Sequence, residues 1–130
     1  MAWNISDFGF EMTLSSYIPE LIKGGIKQLS KNLLKQTSLA DDDVQYFAIH
    51  PGGRRILEVC EEELNLNANQ NRFAYQVLKN YGNMSSATVL FVLKEIRKQL
   101  NGVDGGKHIF SCAFGPGLTM ESMLLKVADA

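Results

Sequence analysis

His50 ends a short apolar run, Val44-Gln45-Tyr46-Phe47-Ala48-Ile49, and is followed at once by Pro51-Gly52-Gly53. A β-branched and aromatic run of this kind suits a buried strand, and Pro-Gly-Gly turns the chain out of it. In open α/β sheets ligands gather at the carboxyl ends of strands, where glycines let them approach the backbone. An imidazole there can donate a hydrogen bond to a developing oxyanion or exchange a proton near neutral pH. The ordinary alternative is a polar residue that merely ends a strand. Asn83 is the second candidate, lying between Gly82 and Met84-Ser85-Ser86 at the start of an apolar helical stretch. Its carboxamide would stand at the positive end of that helix's dipole, where anionic charge is favoured. Capping is the competing reading, and Asn83, Ser85 or Ser86 could each supply a cap.

Other chemistry is poorly furnished. Cys60 falls on the mixed face of a helix and Cys112 within an apolar strand, with nothing adjacent to lower either thiol's pKa. Both read as packing residues, and two cysteines without a C-x-x-C make no disulfide framework. His108 opens a strand after a glycine-containing loop and is expected to face solvent. His50, His108 and the acidic residues show no metal-ligand spacing. No glycine loop has the P-loop or Rossmann pattern.

The elements that must position His50 and Asn83 follow from the hydrophobic periodicity. Phe8 to Leu14 reads as a strand. Ser15 and Ser16 offer an N-cap to an amphipathic helix reaching about Gln36, weakened in its middle by Gly24-Gly25. Asp41-Asp42-Asp43 is a solvated turn before the strand at 44–49. Helices are expected from about Arg54 to Leu64, Asn67 to Lys79 and Ser85 to Leu100. The last has a first half, Ala87 to Leu93, that is apolar on all sides, as in a buried helix. Asn101 to Lys107 reads as an exposed loop, His108 to Ala113 as a strand and Leu118 to Val127 as a final strand. Phe114-Gly115-Pro116-Gly117 is the tight turn between those two strands. Interleaved strands and helices make the class α/β, with a mixed central sheet packed with helices. The β–α crossovers favour parallel pairing, and the last two strands should pair antiparallel. The reading is one domain over residues 1–130, without internal repeats.

Composition limits the partners. The 130 residues are 45% hydrophobic and 21% charged with a net charge of −1, a globular balance with no global field for nucleic acid or an anionic membrane. Arg54-Arg55 and the group Lys94, Arg97 and Lys98 are local basic clusters, the second of which, at helical spacing, reads as a solvated face. The longest apolar run, Val89 to Leu93, is far short of the ~20 residues of a membrane span. The first residues lack a secretory pattern, so a cytoplasmic protein is expected.

Three segments then carry a resemblance. His50-Pro51-Gly52-Gly53, Tyr81-Gly82-Asn83-Met84-Ser85-Ser86-Ala87 and Phe114-Gly115-Pro116-Gly117-Leu118-Thr119 resemble, in order and at about the family's spacing, signature segments of chalcone and stilbene synthase-like type III polyketide synthases. The related β-ketoacyl carrier-protein synthases of the third kind also use a His and an Asn, but a Gln-Ala-Asn-like sequence follows their His. The resemblance covers about Gly9 to Val127. It implies the C-terminal half of a thiolase-like fold and decarboxylative Claisen condensation of an acyl-coenzyme A starter with malonyl-coenzyme A. Coenzyme A thioesters are then the substrates, no resident cofactor is needed, and the whole protein is a homodimer.

By the same resemblance, His50 is the catalytic histidine and Asn83 the second donor to the enolate formed when malonyl decarboxylates. Ser85 matches a position lining the polyketide cavity. Gly52, Gly53 and Arg55 match the turn beside the pantetheine arm. Phe114, Gly115, Pro116 and Gly117 match the loop shaping the cyclisation cavity. Met12 falls where plant members carry a gatekeeping Phe, and Ala113 replaces a common Gly; both are departures. The larger one is that nothing matches the family's nucleophilic Cys, which belongs to its N-terminal half. The chain then reads as a piece of a longer enzyme or as a truncated paralogue, inactive alone. A non-catalytic module binding an acyl or coenzyme A ligand, or a partner domain, is the rival reading. Half of a thiolase fold would also expose surface that packs on its twin, so self-association is expected.

Overall fold

Strand β3 (Val44–Ile49) lies parallel to β4 (His108–Gly115), and β4 lies antiparallel to β5 (Thr119–Lys126), giving a mixed three-stranded sheet in the order β3-β4-β5. The computed structural model describes residues 2–7, 9–13 and 17–129. Before the sheet, β1 (Ala2–Ser6) and β2 (Gly9–Thr13) form an antiparallel hairpin, with Trp3 opposite Met12. The helices are α1 (Ile18–Thr37), α2 (Arg54–Leu64), α3 (Arg72–Tyr81) and α4 (Thr88–Gln99). The mixed α/β sheet expected from the interleaved pattern is therefore present.

Each helix buries one stripe. In α1 it is Ile18, Ile22, Ile26, Ser30 and Leu34, four residues apart and so on one face. The N-cap expected from Ser15 and Ser16 lies outside the described residues; Pro19 stands in the first turn, where its missing N–H has no intrahelical role. Gly24-Gly25 does not break the helix. A Cβ at Gly25 would collide with Met120 Cε of β5, so the bare backbone there lets helix and sheet approach.

The sheet is covered on both sides. Phe47 and Phe110 are neighbours across β3 and β4, their rings 6.2 Å apart, and share a cleft with Ser30 and Leu34 of α1. Ser111, one residue further along β4, lies instead beside Val89 of α4. Alternate residues of a strand point to opposite faces, so α1 and α4 cover opposite sides. That two-sided burial explains why Phe47, Ala48 and Ile49 are all buried.

Four local readings are corrected. The helix expected from Asn67 begins at Arg72, because Asn67 and Gln70 bond to each other's backbone N–H groups and hold a turn instead. The first half of α4 is not buried all round: Leu90 is 60% exposed while Val92 is fully buried, since one helix face meets the sheet. The loop at 101–107 is not wholly exposed. Asp104 within it is buried, accepting from Lys107 Nζ at 2.6 Å, Tyr46 Oη at 2.8 Å and the Asn101 N–H at 2.8 Å. Finally, β4 continues through Phe114 and Gly115, so the turn is Pro116 to Leu118, with Gly117 at φ 69° and Leu118 at φ 54°. The hairpin strand β1 had no strand signal in the sequence reading.

Candidate active site

The carboxyl end of β3 delivers His50. Its N–H donates to the carbonyl of Cys112 at 2.9 Å, continuing the parallel ladder one residue past the strand. The Gly52 N–H then donates back to the His50 carbonyl at 3.0 Å, a three-residue turn around Pro51 whose ring fixes the required φ. Helix α2 starts immediately after Gly53, whose carbonyl accepts from Ile56 at 3.1 Å. The His50 side chain is 6% exposed and meets the ring of Phe114 edge-on, centroids 6.3 Å apart. Its Nδ1 is enclosed with no hydrogen-bond partner among the described residues. Burial pushes the imidazole's pKa below the ordinary histidine value, so the ring is neutral at pH 7 and carries one N–H.

The second side chain comes from the α3–α4 junction. Gly82 closes α3 with φ 70° and ψ −163°, a conformation that essentially only glycine tolerates. Asn83 follows, exposed, and its carboxamide is held at both ends. Oδ1 accepts from the Ser85 N–H at 2.9 Å, and Nδ2 donates to the Gly52 carbonyl at 3.1 Å. That second bond spans 31 residues. An amide nitrogen has two hydrogens, and no other partner of Nδ2 is found among the described residues, which leaves one donor available.

Gly52 is where the two side chains meet. A Cβ on it would lie 3.5 Å from His50 Nε2 and 2.9 Å from Ile56 Cδ1. So the glycine gives the His50 ring edge its space on one side, while its carbonyl anchors Asn83. The structure thus brings His50, Gly52, Gly53, Asn83 and Phe114 into one neighbourhood. Ser85 stands beside them, exposed, with φ 61°. Arg55 points along its own helix, within 3.3 Å of Glu58 and 3.4 Å of Glu62. Gly115 ends β4 after Phe114, and Gly117 lies within the turn that follows. Met12 is on β2, and its side chain, like that of Pro116, lies outside the described part of the structure.

The remaining polar groups do not join this site. Cys60 and Cys112 are buried; the Cys60 thiol is pushed up to about 12 and that of Cys112 well above the ordinary thiol value, in both cases chiefly by burial. Neither is a thiolate near neutrality. His108 is half-buried rather than open: its Nδ1 is 3.2 Å from the Asp43 carbonyl, and its N–H donates to Gln45 Oε1. Among the described residues no group of three metal-ligating side chains is found. A cleft of about 270 Å³ lies at the other end of β3, around Lys31, Leu34, Asp41, Val44, Phe47 and Asn65. It contains none of the site residues, and charges of both signs line its rim.

The sequence reading missed Thr88, which is fully buried and whose Oγ1 touches the turn carrying Asn83. The available signal was a lone hydroxyl leading an otherwise apolar run.

Known proteins share this arrangement of chain. Residues 1–128 match the family of chalcone and stilbene synthases, C-terminal domain. A Bacillus subtilis (strain 168) protein described as "Putative chalcone synthase" is 31% identical over 124 residues, covering 95% of this chain and 34% of that protein. The crystal structure of PKS-I from the brown alga Ectocarpus siliculosus superposes with a TM-score of 0.89 at 35% identity, covering 97% of this chain and 35% of that one. The C-terminal type III polyketide synthase domain of Steely1 from Dictyostelium gives a TM-score of 0.85 at 35% identity, covering 98% and 36%. The chain spans about a third of the length of these relatives. Its match over nearly every residue, in sequence and in fold, places this chain in the chalcone and stilbene synthase C-terminal domain family.

Proposed function

We propose that this chain supplies the His–Asn half of a condensing site that joins an acyl-coenzyme A starter to malonyl-coenzyme A. The observation that carries this reading is the convergence of His50 and Asn83 on Gly52, from a strand end and a helix junction, with Gly52 and Asn83 31 residues apart. A neutral imidazole N–H and a carboxamide N–H aimed at one oxygen form an oxyanion hole. When the malonyl carboxylate leaves as carbon dioxide, the bonding pair flows into an enolate whose oxygen those donors stabilise. The enolate carbon then attacks an acyl thioester held on a cysteine that these 130 residues do not provide, forming the C–C bond as the acyl C–S bond breaks and the cysteine leaves as its thiolate. The burial that keeps His50 neutral favours a donor role over a permanent cation.

On this reading the coenzyme A thioesters are substrates met in the cytoplasm, no resident cofactor takes part, and the whole enzyme is a homodimer. The starter and the number of extensions depend on cavity walls beyond this chain. The test is carbon dioxide release from labelled malonyl-coenzyme A. Residues 1–130 alone should release none. Joined to a cysteine-bearing N-terminal half from a member of the family, they should release it. His50→Ala and Asn83→Ala should each then cost about 10²- to 10³-fold, the usual loss for one oxyanion donor. Undiminished release in both variants would exclude the reading.

A further inference from the structure

Asn83 sits between two backbone reversals, Gly82 at φ 70° and Ser85 at φ 61°. For a residue with a Cβ, such as Ser85, that left-handed conformation is unfavourable and persists only where neighbouring contacts hold it. The contacts come from two side chains: Asn83 Oδ1 accepts from the Ser85 N–H at 2.9 Å, and Thr88 supplies the rest. Thr88 Oγ1 accepts from the Met84 N–H at 2.8 Å and donates to the Ser85 carbonyl at 2.7 Å. It also lies 3.5 Å from Asn83 Oδ1. Thr88 is fully buried at the first turn of α4, a helix anchored in the core by Val92 and Ile96. A β-branched side chain in a helix has few χ1 choices, so the hydroxyl is a fixed point rather than a mobile one.

We propose that Thr88 is the positioning residue for Asn83: its hydroxyl holds the Met84–Ser85 segment at both ends, at the Met84 N–H and at the Ser85 carbonyl, and that clamp aims the Asn83 carboxamide at Gly52. The inference rests on the condensing-site reading for its catalytic meaning, but the clamp itself can be read without any reaction. A capping bond alone would end at α4; this one reaches past the helix start to Met84, next to the functional side chain. Thr88 touches no substrate in this scheme. It acts through Asn83.

Thr88→Val keeps the shape and removes the hydroxyl, and Thr88→Ser keeps the hydroxyl. In residues 1–130, Thr88→Val should raise hydrogen exchange at the Met84 amide at least tenfold and shift the Asn83 side-chain NH₂ resonances. Amides of Val92 and Ile96 should stay protected, showing that α4 is intact, and Thr88→Ser should restore the parent spectrum. In the protein joined to a cysteine-bearing half, Thr88→Val should lower kcat about tenfold with little change in KM, and Thr88→Ser should recover it. Unchanged Asn83 and Met84 signals in a folded Thr88→Val chain would overturn the clamp. A loss of activity that Thr88→Ser does not recover would overturn it as well. Full activity of Asn83→Ala would instead defeat the condensing-site reading and leave the spectroscopic result to stand or fall separately.

Discussion

Asn83 donates through Nδ2 to the carbonyl of Gly52 at 3.1 Å, and Gly52 lies against the ring of His50. The bond ties a helix junction to a strand end, so a disturbance at either is felt at the other. The bare Cα at residue 52 has a separate reason, since a Cβ there would stand 2.9 Å from Ile56 Cδ1 and 3.5 Å from His50 Nε2. Any side chain there would fill the space beside His50 Nε2.

Gly52→Ala separates chemistry from stability. Its φ is not in the left-handed range, and the added Cβ would meet the flexible end of Ile56 at 2.9 Å, which can give way. Thermal unfolding should therefore move by no more than the equivalent of about 1 kcal/mol. The methyl group would nonetheless stand 3.5 Å from Nε2, where the proposed condensing-site reading puts the substrate oxygen. Malonyl decarboxylation by the joined protein should fall about 10- to 100-fold, as for an ångström-scale misplacement. Equal, small losses in both measurements would contradict this.

The buried imidazole should leave a mark on stability against pH. Burial depresses the folded-state pKa of His50 below 6.5, while the unfolded chain titrates at about 6.5. Between these values the unfolded state binds the extra proton, so the contribution of neutral His50 is complete above about 6.5 and is lost as pH falls towards the folded value. Urea midpoints measured from pH 8 to pH 5 should decline more steeply for the parent than for His50→Gln. Parallel profiles would mean that the ring is solvated.

Helix α4 offers a check on the fold. Phe110 is 1% exposed at the centre of the sheet, and Leu90 is 60% exposed on α4. Phe110→Ala should cost about 3–5 kcal/mol through lost burial and a cavity. Leu90→Ala should stay within about 0.5 kcal/mol when measured by urea unfolding. A large loss at Leu90 would show that this face is covered, as by a second copy of the chain.

Much of this protein was legible one segment at a time. The strand at 44–49, the turn at Pro51-Gly52-Gly53 and the start of α2 at Arg54 are local events, dictated by β-branched residues, a fixed proline φ and unhindered glycines. Even the order of the three motifs, and hence the family, lies in the one-dimensional string. Elements whose stability comes from elsewhere were not legible. The strand at Ala2–Ser6 exists through pairing with β2, and Asn67–Asn71 departs from helix because side chains compete for its backbone.

The site shows the same division. Residue types at positions 50 and 83 suffice to nominate a donor pair, because imidazole and carboxamide chemistry belongs to the side chain itself. That the two meet at Gly52, and that His50 is buried with no partner at Nδ1 among the described residues, depend on distances between segments tens of residues apart; the hydroxyl of Thr88 reaches only three to five residues back, but the fold decides that it is buried against the turn of Asn83. Those distances come from packing α4 and α2 against one sheet. Only the tertiary structure decides them, since burial and hydrogen-bond geometry are properties of neighbours in space.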